Sequence, residues 1–385
     1  MIFDALGLSP VINAAGTVTR LSGGVMAPEV AEAMRAASLG CWDMAELQGA
    51  ASRVICEATG AEAGIVTSGA SAAVLLGAAA CLAGMDPGRM NRLPEVVDGR
   101  REFVAVRSQR NMYDRALVVA GGRIVEVGIA DRYSGPGIRD AAVWEIEEAI
   151  WTATAGVYYL AAAQSQPSLR DVCETAHRHG VPVLVDAAGQ LPPAGNLRRF
   201  LDEGADLVAF SGGKAIGGPQ ASGILCGRGD LVGSALMQML DLDLDAGMWR
   251  APAGFPALAQ MRGLPQHGIG RSCKVGKEEI AGLLVALRRF VAAEPGVREK
   301  AQTEVLQAIV DAAGMGRIED RAVPLMVLEV GSVDAAMGVA RGLWEGRPAI
   351  ACSLQRRDAG VLVFHPAALT IAQGRAIGER LRELM

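Results

Sequence analysis

Lysine is scarce in this chain. Lysine and arginine together make up 37 of its 385 residues, but only Lys214, Lys274, Lys277 and Lys300 are lysine. Where a positive charge suffices the sequence uses arginine, whose guanidinium stays protonated and cannot act as a neutral amine. Lys214 is the only lysine in the first 273 residues, and it stands among glycines just after the apolar run Leu207 to Phe210. A strand ending there would present an amine to a ligand, and the chemistry that needs a free amine is imine formation.

Other scarcities narrow the field. Histidine occurs only at 177, 179, 267 and 365, which leaves little for histidine catalysis. His177 and His179 close the segment CETAHRHG, where they read as a charge complement to a helix C-terminus. The seven cysteines include no C-x-x-C pair, so they read as small buried residues of a reducing cytoplasm and not as a metal or disulfide framework. GGKAIG lacks the Ser or Thr that a P-loop places after its lysine, and no G-x-G-x-x-G follows a strand. A net charge of −5 without a basic block disfavours a nucleic-acid partner. The start, MIFDALGLSP, has no basic n-region, so no secretory signal is expected. Ala63–Met85 and Ala149–Leu169 carry no charge, but Thr, Ser, Gly, Gln and Pro interrupt them. Each reads as a strand with a buried helix and not as a membrane span.

What is abundant is small and apolar: 51% hydrophobic residues, 48 glycines and only 4% aromatics. Strands are predicted at 64–67, 102–106, 123–127, 157–163, 182–186, 206–210 and 222–226. Helices are predicted near 112–120, 140–152, 168–179 and 197–203. Apolar runs without alternation, such as VPVLVD, fit parallel strands covered on both faces. The expected fold is α/β, with an open, mostly parallel central sheet, helices on both its faces and a smaller α+β C-terminal domain. The expected division is an N-terminal arm at 1–35, a large domain at 36–254 and the small domain at 255–385.

Three strand ends carry chemistry. Ser68-Gly69-Ala70-Ser71 feeds a helix N-terminus, whose free N–H groups suit a phosphate, although taken alone such a turn is an ordinary cap. Asp186 ends an apolar strand, either to cap the next turn or to meet a buried cation such as a protonated pyridine nitrogen, and Ala187 and Ala188 leave room for a flat ring. Ser211 and Lys214 follow a third strand, the serine within reach of a phosphate. Ligands of open α/β sheets bind at such carboxyl ends. Phosphate cradle, acid and amine in this order describe a pyridoxal 5'-phosphate (PLP) site.

The motifs PVINAAGTVTRLSGG, ATGAEAGIVTSGASAA, RNMYDRAL, HGVPVLVDAAG, LVAFSGGKAIGGPQASGILCGR and GIGRSCKVGKEEI span residues 1 to about 290. With them the chain resembles the fold-type-I PLP family that contains selenocysteine synthase and D-glucosaminate-6-phosphate ammonia-lyase, and it is closer to the lyase-like branch. The resemblance implies that Lys214 carries the cofactor as an imine and Asp186 holds its ring nitrogen. It also implies that Ser68, Gly69, Ala70 and Ser211 bind the phosphate, and that the site lies between the subunits of a homodimer or larger homo-oligomer, served by the loop with Asn13, Thr17 and Arg20. Gln109 stands where the lyase-like pattern has a histidine over the ring, and an amide there cannot shuttle protons. The neutral segments around Gln164, Gln166 and AAGQLPP point away from an aminosugar phosphate as substrate.

The expected activity is α,β-elimination from an amino acid or amino-sugar acid, giving a keto acid and ammonia. A racemase or epimerase, which shares the first Cα–H cleavage, is the alternative; a selenium transferase and a non-catalytic PLP-binding protein are further ones. A substrate carboxylate calls for a bidentate arginine. Arg271 is the candidate and Arg110 and Arg20 the runners-up.

Overall fold

In a computed structural model, which describes residues 2–97, 99–129 and 141–385, twelve strands form among the described residues. They are β1 (Ile12–Ala14), β2 (Ala63–Thr67), β3 (Glu102–Val106), β4 (Arg123–Val127), β5 (Thr154–Leu160), β6 (Val183–Asp186), β7 (Leu207–Ser211), β8 (Gly223–Gly227), β9 (Arg317–Glu319), β10 (Leu325–Glu329), β11 (Ile350–Cys352) and β12 (Val361–Phe364). Residues 26–291 make one compact unit, and residues 1–25 with 292–385 make another.

The 26–291 unit holds a seven-stranded sheet in the order β2-β8-β7-β6-β5-β3-β4. β8 runs antiparallel to both its neighbours and the other pairings are parallel, so the remaining strands end on one edge. Every residue of β2, β3, β6 and β8 is buried, which explains their apolar runs. The first charge-free stretch is β2 followed by the helix Ala70–Ala83, and the second contains β5. Among the described residues no helix is long and apolar enough to cross a membrane.

Small residues set how closely that helix approaches the sheet. A Cβ on Gly77 would lie 2.9 Å from Leu184 Cδ1. Fully buried Phe103 and Phe210 fill the larger gaps, each stabilising the fold by roughly 1.5–3 kcal/mol. The open edge of β2 is closed by side chains. Gln48, buried in the helix Met44–Thr59, donates from Nε2 to Val66 O (2.9 Å) and accepts from Val66 N at Oε1 (2.9 Å). Ser52 Oγ accepts from Gly64 N at 3.1 Å. An edge strand satisfied in this way has no free ladder for another chain, and its end, where Ser68 begins, is held in place.

In the second unit, β12-β10-β9 form an antiparallel sheet and β1 pairs in parallel with β11, Ile12 opposite Ile350. The helices Val297–Ala313 and Ile371–Leu384 cross closely, since a Cβ on Gly378 would come within 2.5 Å of Ile309 O. Leu306, Ile309, Phe364, Ile377 and Leu381 form its core.

The observed units divide elsewhere than at 35 and 254. Phe255, Leu258, Ile280, Leu283, Leu287 and Phe290 bury in the same core as the large sheet, which carries the boundary to Val291. The first 25 residues belong with the C-terminal segment because β1 needs β11 as a partner.

Candidate active site

The turn after β2 opens the helix Ala70–Ala83. Gly69 adopts φ +128°, which side chains rarely tolerate. The first helical N–H with an acceptor is that of Ala73, which donates to Gly69 O at 3.0 Å. Among the described residues nothing accepts from the N–H groups of Ala70, Ser71 and Ala72. Three open donors at the positive end of a 14-residue helix favour an anion. Ser68 contributes less than its hydroxyl suggested, because Oγ donates to Cys273 O at 2.9 Å. Gly223, at the start of β8, stands between Thr67 and Ser211 in the sheet. A Cβ there would lie 2.5 Å from Gly69 C, so this glycine lets the cradle and the segment after β7 approach.

Asp186 ends β6 and is 5% exposed. Oδ1 accepts from Ala188 N (3.0 Å), and Oδ2 accepts from Tyr158 OH (3.2 Å) on neighbouring β5. Burial pushes the Asp186 carboxyl above the ordinary carboxylate range. The Ala188 N–H, the Tyr158 hydroxyl and the charge of Lys214 pull it back. Burial and the Asp186 charge in turn push the Tyr158 phenol up. Sequence reasoning missed Tyr158, whose only signal was a polar oxygen in the strand VYYL.

Gln109, 3% exposed, follows β3. Its Oε1 accepts from Leu160 N (3.1 Å) and its Nε2 donates to Gln166 O (3.2 Å). Leu160 is the register partner of Asp186, so this amide joins the ends of β3 and β5 beside the acid. Both ends of the amide are thereby occupied by backbone.

Ser211 ends β7, and Lys214 lies in the turn that follows, its side chain exposed. Among the described residues Nζ has no hydrogen bond or ion pair, though its charge acts on Asp186. The turn closes on itself. Gly212 N donates to Ser222 O (2.9 Å), Gly217 N to Lys214 O (3.0 Å) and Gly218 N to Gly212 O (2.9 Å). Gly213 is forced by close approach, since its Cβ would come within 2.6 Å of Gln220 Cα.

The structure thus brings Ser68, Gly69, Ala70, Gln109, Asp186, Ala188, Ser211 and Lys214 to one sheet edge. Two of the three candidate arginines are already engaged. Arg271 donates from Nη1 to Met239 O (3.2 Å) and from Nη2 to Asp241 Oδ2 (3.0 Å). Arg110 pairs with Asp114 and Glu126. His177 meets Asp206 (2.8 Å) and His179 meets Glu147 (3.0 Å), so both bind carboxylates of neighbouring elements at their helix end. Asn13, Thr17 and Arg20 lie in the other unit. There Asn13 Nδ2 donates to Gly16 O (2.9 Å) and Gly23 O (3.0 Å), which shapes the loop from within.

Residues 11–243 match the family described as SelA, L-seryl-tRNA selenium transferase. The chain belongs to that family. It is similar to a 5'-C-glycyluridine monooxygenase-decarboxylase of Streptomyces sp, 31% identical across 100% of this chain and 92% of the relative. It is also similar to D-glucosaminate-6-phosphate ammonia lyase of Salmonella typhimurium, 28% identical across 100% of this chain and 97% of the relative. A solved structure of D-glucosaminate-6-phosphate ammonia-lyase covers 100% of the chain and 98% of its own, with a TM-score of 0.80 at 28% identity. Serine palmitoyltransferase from S. paucimobilis with bound PLP, at 13% identity and a TM-score of 0.54, shares the fold. This member of the SelA family therefore has the α/β fold of type-I PLP enzymes, its full-length relatives are enzymes, and PLP is the cofactor that family and fold imply.

Proposed function

We propose that this SelA-family chain is a PLP-dependent lyase that takes the Cα proton from a bound amino acid and expels its β-substituent, giving a keto acid and ammonia. One juxtaposition carries the reading: an amine and three helix N–H groups, all without a partner among the described residues, share one sheet edge with a buried acid. This donor set fits the cofactor. The N–H groups of Ala70, Ser71 and Ala72, with Gly69 and the Ser211 hydroxyl, would hold its phosphate, and the Ser68 hydroxyl would join them on turning away from Cys273 O. Asp186 would hold its ring nitrogen, Ala188 and Gln109 would flank its ring, and Lys214 Nζ would hold it covalently. Bound PLP supplies an electron sink that weakens the bonds at Cα. Displaced from the cofactor by the substrate's amine, the Lys214 amine would take the Cα proton and hand it to the departing β-substituent. Exposed Met112, Tyr113, Val118 and Val119, close in sequence to Gln109, support a homodimer or larger homo-oligomer acting on a small amino-acid-like substrate.

The deciding experiment is incubation of the PLP-loaded protein with amino acids in D2O. Keto acid and ammonia are expected. Deuterium at Cα with inversion and no keto acid would make the protein a racemase. Oxygen-dependent decarboxylation is a second reading, favoured by the full-length match to the Streptomyces monooxygenase-decarboxylase. Oxygen uptake with release of CO2 would establish it in place of elimination.

Arg271 would orient the substrate carboxylate, with Arg110 as a further contact and the loop of Asn13, Thr17 and Arg20 serving the site across a subunit interface. Asp241 already occupies one arm of the Arg271 fork, so an incoming carboxylate has to displace it. Arg271→Ala is expected to raise KM by about 10- to 100-fold, the worth of a charged hydrogen-bond pair. Asp241→Ala, which frees the fork, is expected to lower KM several-fold. Unchanged KM in both variants would remove Arg271 from the substrate site.

A further inference from the structure

We infer that Tyr158 is a positioning residue, whose hydroxyl fixes the Asp186 carboxylate in one orientation and keeps it ionised for the cofactor's ring nitrogen. The inference rests on the PLP reading and deepens it. Tyr158 is 1% exposed, and burying a hydroxyl is costly unless it finds a partner. A phenylalanine would fill the same apolar strand without that cost. The neighbouring tyrosine does a different task, for Tyr159 OH donates to Pro167 O at 3.1 Å and ties down the segment after β5. Tyr158 OH instead donates to Asp186 Oδ2 at 3.2 Å, while Ala188 N donates to Oδ1 at 3.0 Å. With one donor on each oxygen, the carboxylate cannot rotate freely, and each oxygen keeps a lone pair for a cation.

Charged and polar groups face this pair from each side. Lys214 acts on Asp186 from the segment after β7. Asn111 and Asp114 act on Tyr158 from the segment after β3, where Arg110 neutralises Asp114. A hydrogen bond to the charged form lowers a carboxyl's basicity. With the Tyr158 donor in place, the proton between Asp186 and the ring nitrogen stays on nitrogen. Without it, burial moves that proton toward the carboxylate.

Tyr158→Phe keeps the ring volume and removes only the donor. In the PLP-loaded protein, the pH midpoint of cofactor absorbance should move by about one unit, the size expected for one hydrogen bond to a charge. The apo variant should bind PLP about tenfold more weakly by fluorescence quenching, and kcat should fall about tenfold at unchanged KM. In an Asp186→Asn background the same change should have no further effect on affinity. Tyr158→His, which retains a donor, should restore the wild-type midpoint, and it serves as the test if the phenylalanine variant does not fold. A variant that is merely less heat-stable, with affinity and pH midpoint unmoved, would overturn the inference. Wild-type protein that takes up no PLP would instead sink the cofactor reading, and this inference with it.

Discussion

Lys214→Ala protein should purify without covalently held cofactor, and borohydride should leave no PLP-derived mass on the chain. Lys214→Arg should fail in the same way although it preserves the charge, because a guanidinium does not give up a proton to act as a nucleophile. This separates the proposed role from simple electrostatics, since a residue needed only for its charge beside Asp186 would tolerate arginine. Loss of the proton carrier alone is worth about 10²- to 10⁴-fold in turnover, and loss of cofactor attachment adds to it. The exposed side chain makes no hydrogen bond among the described residues, so neither substitution should disturb the fold. Denaturant midpoints within about 0.5 kcal/mol of wild type would confirm that. A Lys214→Ala protein that still reduces with borohydride to a covalent PLP adduct would refute the assignment.

Asp186→Asn should separate stability from function. Burial raises the Asp186 pKa above its unfolded value, so ionisation of this group opposes folding of the apo protein. The penalty is absent below the unfolded pKa, around pH 4, and is complete once pH exceeds the raised folded value. Asparagine removes it and can still accept from Ala188 N and meet the Tyr158 hydroxyl. The apo variant should therefore be as stable as wild type at pH 7 or more so, with the difference vanishing below pH 4. PLP affinity should move the other way, falling about 10- to 150-fold with loss of a charged hydrogen bond. Turnover at saturating cofactor should fall by roughly 10²-fold or more, because a neutral ring accepts electrons poorly. Denaturant titration of apo protein beside PLP titration measures both. If Asp186→Asn destabilises the apo fold and leaves PLP affinity intact, the acid is a structural cap and nothing more.

Local pattern carried much of this protein. Unalternated apolar runs located β3 and β5 to β8 to within three residues at either end, because strands covered on both faces cannot alternate. The scarcity of lysine singled out Lys214, and an acid closing VPVLVD singled out Asp186, because both are chemically anomalous where they stand. The helix Val297–Ala313 went unassigned although its caps, Gly296 and Gly314, are local. What only the tertiary structure decided were partnerships between residues distant in the chain. β1 is too short to be legible until Ile350 pairs with Ile12. Tyr158 reads as core until its hydroxyl meets Asp186, and Gln48 reads as a helix-surface amide until it closes the edge of β2. Arg271 was legible as a charge, but that Asp241 already holds it was not. The division has one physical cause. Periodicity and backbone preference act over a few residues, whereas a buried polar group takes its role from whichever partner the fold brings within about 3 Å.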